Sequence, residues 1–412
     1  MTLSWAQIAR LGLVQACLGA IVVLMTSTLN RILAVELALP VVLPGLLVAL
    51  HYGVQITRPN WGFLSDRGGN RTFWILAGMA MLGGGALLAA AAVPVLETLF
   101  APGLALSVLA YILIGLGVGA CGTSLLALLA TATAPRRRPA AATITWLMMI
   151  AGIALTAVFA GGFLEPYSHT RLLEVVAVVA LGAFALATLA VWGIERRVIA
   201  RPEPESAPFR EGLAEVWAEP RARAFTLFVF LSMTAYFMQE LILEPFGGLA
   251  FGLSPGETTR MSGAQNGGVF LGMLLVGIAA SGLGLGTLRG WVTVGCLGSA
   301  AVLGGIAASA PLALPLIPLV VALGFFNGMF AVAAIGAMMQ MAGQGRARRE
   351  GTRMGLWGAS QAIAAGAGGL LGAALVDAFR AGLPTATAFG VVFLIEAALF
   401  LAAAVMALRI MG

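Results

Sequence analysis

Twelve long apolar runs divide this chain of 412 residues, and short polar segments separate most of them. A bilayer core is about 30 Å thick and takes roughly 20 apolar residues of helix to cross. The runs fall near 10–29, 39–57, 73–93, 102–131, 140–163, 172–194, 223–243, 262–281, 287–309, 312–341, 353–376 and 386–408. They are continuous rather than alternating, which selects helices over barrel strands. Only 10% of the residues are charged, against about 25% in a soluble domain. The expected fold class is an all-α polytopic membrane protein.

All 23 basic residues are arginine. With twelve spans and both termini inside, only Arg31, Arg171, Arg260 and Arg380 fall on the outer side, and the other nineteen fall inside. That asymmetry obeys the positive-inside rule and predicts cytoplasmic termini. It also accounts for the net charge of +6 without nucleic acid as a partner. Membrane lipids are the expected surroundings. The eight tryptophans lie near the predicted inner ends of spans and read as interface anchors. Cys17, Cys121 and Cys296 sit inside apolar runs and read as buried thiols. The N-terminus has no cleavage site after a short apolar core, so residues 10–29 read as a retained span.

The longest polar segment, 195–222, lies mid-chain and starts as linker, "ERRVIARPEPESAP". Phe209, Leu213, Val216 and Trp217 then recur at helical spacing, which suits a short amphipathic helix on the inner surface. The predicted organisation is a six-helix bundle over 1–194, the linker over 195–222, and a second bundle over 223–412. An offset of 211 pairs Arg137 with Arg348, Arg138 with Arg349, Trp146 with Trp357, Gly117 with Gly328 and Gly161 with Gly372. Two six-helix repeats with a long central inner loop are the layout of the major facilitator superfamily.

Between the second and third runs stands "NWGFLSDRGGNR". It resembles that superfamily's signature loop at Gly62, Leu64, Asp66, Arg67, Gly69 and Arg71. The glycines permit a tight turn, Asp66 can cap a helix or pair with an arginine, and the arginines can meet helix C-termini. The corresponding loop of the second half, "SGLGLGTLRG", has no acid. The loop points to a scaffold, not to a substrate.

Polar residues inside the runs are few. Glu396 is the best-embedded acid; Glu240, Glu244, Asp377, Glu36 and Arg31 fall near span ends, as boundary charges do. Gln265, Asn266, Asn327, Gln340 and Gln361 can line a cavity or join helices. His51 is the one histidine in a span, and Gln55 lies four residues on, hence on the same helix face. An imidazole there can relay protons, hydrogen-bond between helices, or ligate a metal-centred pigment. No phosphate loop, HExxH or nucleophile–base set is present, so the chain is expected not to be an enzyme.

The text from Asn30 to Ile75 is more distinctive: "NRILAVELALPVVLPGLLVALHYGVQITRPNWGFLSDRGGNRTFWI". It resembles the PucC/LhaA family, the bacteriochlorophyll delivery branch of the superfamily, at Asn30, Arg31, Glu36, His51, Tyr52, Gln55, Arg58, Pro59, Asp66, Arg71 and Trp74 among others. Phe73 stands where the family pattern has proline. The resemblance implies a light-harvesting assembly factor of the bacterial inner, intracytoplasmic membrane, which binds bacteriochlorophyll or its precursors as cargo and hands it over. Antenna polypeptides, the reaction centre or bacteriochlorophyll synthase are the implied partners. It makes His51, with Tyr52 and Gln55 beside it, the candidate pigment site, His51 being an axial ligand for the pigment magnesium. Two alternatives are a proton-coupled transporter of a small amphipathic solute and an accessory subunit of bacteriochlorophyll synthesis.

Overall fold

The structure, a computed structural model, describes residues 3–58, 61, 70–134, 138–195, 217–344 and 350–411. Among these the long elements are all helices. They are α1 (Trp5–Glu36), α2 (Val42–Val54), α3 (Arg71–Thr98), α4 (Phe100–Ala132), α5 (Arg138–Phe163), α6 (His169–Val191), α7 (Pro220–Phe251), α8 (Pro255–Val276), α9 (Leu288–Ser309), α10 (Leu316–Gln344), α11 (Glu350–Arg380) and α12 (Thr385–Ile410). Eleven of them are long and apolar enough to cross a membrane; α2 is equally apolar but has thirteen residues. The chain is a multi-pass membrane protein.

Local chemistry sets the helix ends. In a bilayer the backbone must satisfy itself, so starts and stops are marked by side chains that take up loose amides. Ser4 and Gln7 form a reciprocal capping box on α1. Asn70, Ser168 and Thr287 cap α3, α6 and α9 through their side-chain oxygens. Pro220 opens α7, and Gly252 closes it at φ 68°, a left-handed conformation that glycine adopts without strain.

Two compact units emerge: Met1–Glu203 with Leu253–Gly263, and Pro204–Gly252 with Ala264–Gly412. In the first, α3 packs on α4 and α6, and α1 on α5 and α6. In the second, α9 packs on α10 and α12, and α7 on α11 and α12. Each of these four pairings thus recurs, shifted by six helices. Small residues make the close crossings. A Cβ added at Gly372 of α11 would lie 2.8 Å from the Met238 carbonyl oxygen of α7, so only glycine permits that approach. Helix α6 turns Ala180, Ala183, Ala187 and Ala190 inward, while Val178 and Leu181 are 73% and 66% exposed. Small inside and large outside suits a helix whose outer face meets lipid.

Expectations change at the first helix, at Arg31 and at Trp357. The first helix does not stop near residue 29: π-turns at Leu24–Thr28 and Ile32–Glu36 carry it on to Glu36. Arg31, taken as a boundary charge, is therefore on a helix and only 2% exposed. Trp357, taken as an interface anchor, is fully buried, with its ring centroid 4.8 Å from that of Phe225, whereas its repeat counterpart Trp146 is 37% exposed. Most of the expected amphipathic helix, including Phe209, Leu213 and Val216, lies outside the described residues.

Candidate functional site

Helix α2 carries His51 on its inner face, next to the 3-10 turn Gln55–Thr57. Opposite it, α4 presents Gly115, where a Cβ would stand 2.7 Å from the His51 carbonyl oxygen. Glycine there lets the two backbones meet and buries the imidazole to 2% exposure. The Nε2 of His51 lies 3.0 Å from the Nε2 of Gln55, and Arg58 donates from Nη2 to Gln55 Oε1. Three side chains therefore form one line: Arg58, Gln55, His51. The Tyr52 ring stands edge-on to the imidazole at 5.0 Å. His51 Nδ1 is buried and, among the described residues, has no hydrogen-bond partner.

A second polar group surrounds the π-turns of α1, where helix irregularities often mark function. Arg31 donates to Glu36 Oε1, and to the Leu253 carbonyl oxygen at 2.6 Å. Thr28 meets Thr259 at 2.9 Å, and Ser27 meets Ser262 at 3.0 Å. Residues Leu253–Gly263 belong to this first unit, so the network is internal to it. Sequence reasoning missed the group because Arg31 and Glu36 read as the end of a span.

Of the signature loop, Gly62, Asp66, Arg67 and Gly69 lie outside the described residues. Arg71 is buried; its main-chain N–H donates to Glu195 Oε1 at 2.8 Å and its guanidinium to the Ala127 carbonyl oxygen at 3.3 Å. Glu195 was read only as the start of a linker.

In the second unit, Glu396 is fully buried on α12 and, among the described residues, neither carboxylate oxygen has a hydrogen-bond partner. Asn327 on α10 accepts from Ser299 Oγ at 2.8 Å, with its own amide nitrogen unpartnered. Gln265 and Asn266 on α8 and Gln361 on α11 are half-buried, and no hydrogen bond joins them to Glu396. Among the described residues no group of three or more His, Cys, Asp or Glu could hold a metal ion. The three cysteines are buried and free.

Repeated six-helix pairings with sparse, buried polar groups define a two-repeat helical membrane fold, and comparison with solved structures agrees. The chain superposes on the crystal structure of a bacterial homolog to human lysosomal transporter Spinster, in the inward-facing and unoccupied conformation, with TM-score 0.75 and 14% identity over 99% of this chain and 96% of that one. The two chains share one fold. A family profile described as PUCC protein matches residues 28–412, and the chain belongs to that family. It is 66% identical to "Bacteriochlorophyll synthase 44.5 kDa chain" of Rhodobacter capsulatus, covering 99% of this chain and 96% of the relative. It is 31% identical to "Protein PucC" of Rhodobacter capsulatus, covering 92% and 84%. The first relative's name corrects one expectation. A chain this similar is named as part of an enzyme, so the expectation that this chain is not an enzyme is withdrawn. It had rested on missing catalytic motifs, which say nothing of a chain's place within an enzyme assembly.

Proposed function

We propose that this chain works in bacteriochlorophyll synthesis, as a membrane-embedded chain that binds bacteriochlorophyll or a late precursor and hands it to the next protein. The observation that carries this reading is the 66% identity, over almost the whole length, to a relative named as a bacteriochlorophyll synthase chain. The partners that follow are the synthase itself and, on the receiving side, antenna polypeptides or the reaction centre. The location is the bacterial inner, intracytoplasmic membrane with both termini cytoplasmic, as the arginine asymmetry favours. The pigment would lie along α2, against His51, Tyr52 and Gln55. That face supports the reading because it joins a buried, half-satisfied imidazole to half-buried neighbours within an apolar bundle.

The test is the absorption spectrum of protein purified in mild detergent from a pigmented phototrophic host, together with total bacteriochlorophyll in a deletion strain that also lacks antenna polypeptides. Stoichiometric pigment and a lowered total are expected. Pigment-free protein with an unchanged total would refute the proposal. A second reading, proton-coupled transport of a small amphipathic solute, is favoured by Glu396, whose buried and unpartnered carboxyl is the kind of group that carries protons in membranes. Uptake into proteoliposomes driven by a proton gradient would favour it over the first.

A further inference from the structure

We infer that His51 meets the ligand as a hydrogen-bond donor, presenting Nδ1–H to a carbonyl oxygen on the pigment rim, and that the magnesium takes its axial ligand elsewhere. This rests on the pigment-handling function proposed above and specifies how that site recognises its ligand.

The argument starts at Arg58. A guanidinium has donors and no acceptor, so the atom of Gln55 that it meets must be the amide oxygen. The Gln55 side chain is thereby oriented without appeal to which atom is nitrogen or oxygen in the coordinates. Its NH2 group then faces His51 Nε2 at 3.0 Å. An amide NH2 only donates, so Nε2 accepts with its lone pair, and the ring's single proton sits on Nδ1. The lone pair on Nε2 is the one a magnesium ligand would have to supply, and Gln55 already engages it. What His51 has left to offer is an N–H.

That N–H is buried and has no hydrogen-bond partner among the described residues. A buried donor without an acceptor is costly, and most such groups in proteins are paired. The complementary ligand atom is a neutral acceptor that can enter an apolar bundle. Bacteriochlorophyll and its precursors carry keto, acetyl and ester carbonyl oxygens around the macrocycle, whereas the magnesium lies at its centre. A donor at the wall of α2 therefore reaches the rim. Tyr52 and Gln55 beside it are half-buried. Arg58 sets the polarity of the line, which gives it a positioning role at the site without contact to the ligand.

The experiment has two readouts. In a His169→Gln background His51 is the sole histidine, and 15N NMR of the purified protein reports its tautomer directly. A protonated Nδ1 is expected. Gln55→Glu places an acceptor opposite Nε2 and is expected to move the proton there. Resonance Raman spectra of the co-purified pigment supply the second readout. A carbonyl stretch lowered relative to free pigment is expected in the wild type and in His51→Gln, and raised in His51→Leu and Gln55→Glu, with the magnesium coordination bands unchanged throughout. A proton on Nε2 in the wild type overturns the inference. So does a change in coordination bands in His51→Leu with the carbonyl stretch unmoved. Wild-type protein with a protonated Nδ1 and no pigment would refute the pigment-handling reading and the carbonyl contact with it, while leaving the tautomer established.

Discussion

Glu195 accepts a hydrogen bond from the main-chain amide of Arg71 at 2.8 Å, and its other oxygen accepts one from Thr72 at the same distance. One carboxylate thus takes up two of the loose amides at the start of α3, next to the positive end of the helix dipole. Glu195→Ala should lose about 1–2 kcal/mol, the scale of a lost helix cap. The measurement is the thermal midpoint in detergent, which should fall by a few degrees. Glu195→Gln keeps one acceptor and should fall between. An unchanged midpoint in the alanine variant would show that the clamp contributes nothing.

The two repeat-related tryptophans make a matched pair. Trp357 is buried against Phe225, while Trp146 is partly exposed. Trp357→Ala should destabilise the protein by about 3–5 kcal/mol, as large-to-small changes in packed cores do. Trp146→Ala should cost less than about 1 kcal/mol. Comparable losses at both positions would mean that the repeats have kept one environment for this residue.

That divergence marks the limit of what could be read from residues alone. The helices and the two-fold repeat were legible because apolar length and the offset of 211 are properties of the string. Whether an indole faces lipid or protein is decided by its neighbours across the bundle, and Trp146 and Trp357 share a letter without sharing neighbours. The reach of α1 was hidden for a similar reason. Arginine and glutamate ordinarily end an apolar run, and only the contacts with Leu253 and the π-turns show that Arg31 stays inside. At the candidate site, the shared face of His51 and Gln55 followed from their spacing of four. The direction of the hydrogen bond between them did not, since it depends on Arg58 reaching back to the amide oxygen.

Arg31 and Glu36 should respond unequally to substitution. The Arg31 side chain is 3% exposed and that of Glu36 is 34% exposed. Glu36→Ala leaves a buried guanidinium short of its counter-charge, with the Leu253 carbonyl oxygen still bound, and should cost about 3–5 kcal/mol. Arg31→Met leaves a carboxylate that water can still reach and should cost less. The double variant should recover part of the Glu36→Ala loss, which a double-mutant cycle on the detergent midpoint measures. Equal single losses with simple additivity would show that the pair is not coupled.

Glu396 decides between the two functional readings. Both carboxyl oxygens are buried without hydrogen-bond partners, and an unpaired carboxylate in hydrocarbon is far more costly than a neutral carboxylic acid. Glu396→Gln replaces the neutral acid with a group of the same shape, so it should fold with an unchanged or slightly higher midpoint. Glu396→Ala leaves a cavity and should lose about 2–4 kcal/mol by analogy with other buried truncations. Infrared difference spectra should show the carbonyl band of a neutral acid that disappears in Glu396→Gln. If the carboxyl serves only to fill the core of the second unit, Glu396→Gln will bind and pass on pigment as the wild type does. If it carries a proton through a transport cycle, the same variant will keep its fold and lose uptake driven by a proton gradient, because an amide cannot take up and release the proton. Retained stability with lost gradient-driven uptake would therefore shift the assignment from pigment handling within the membrane to transport across it.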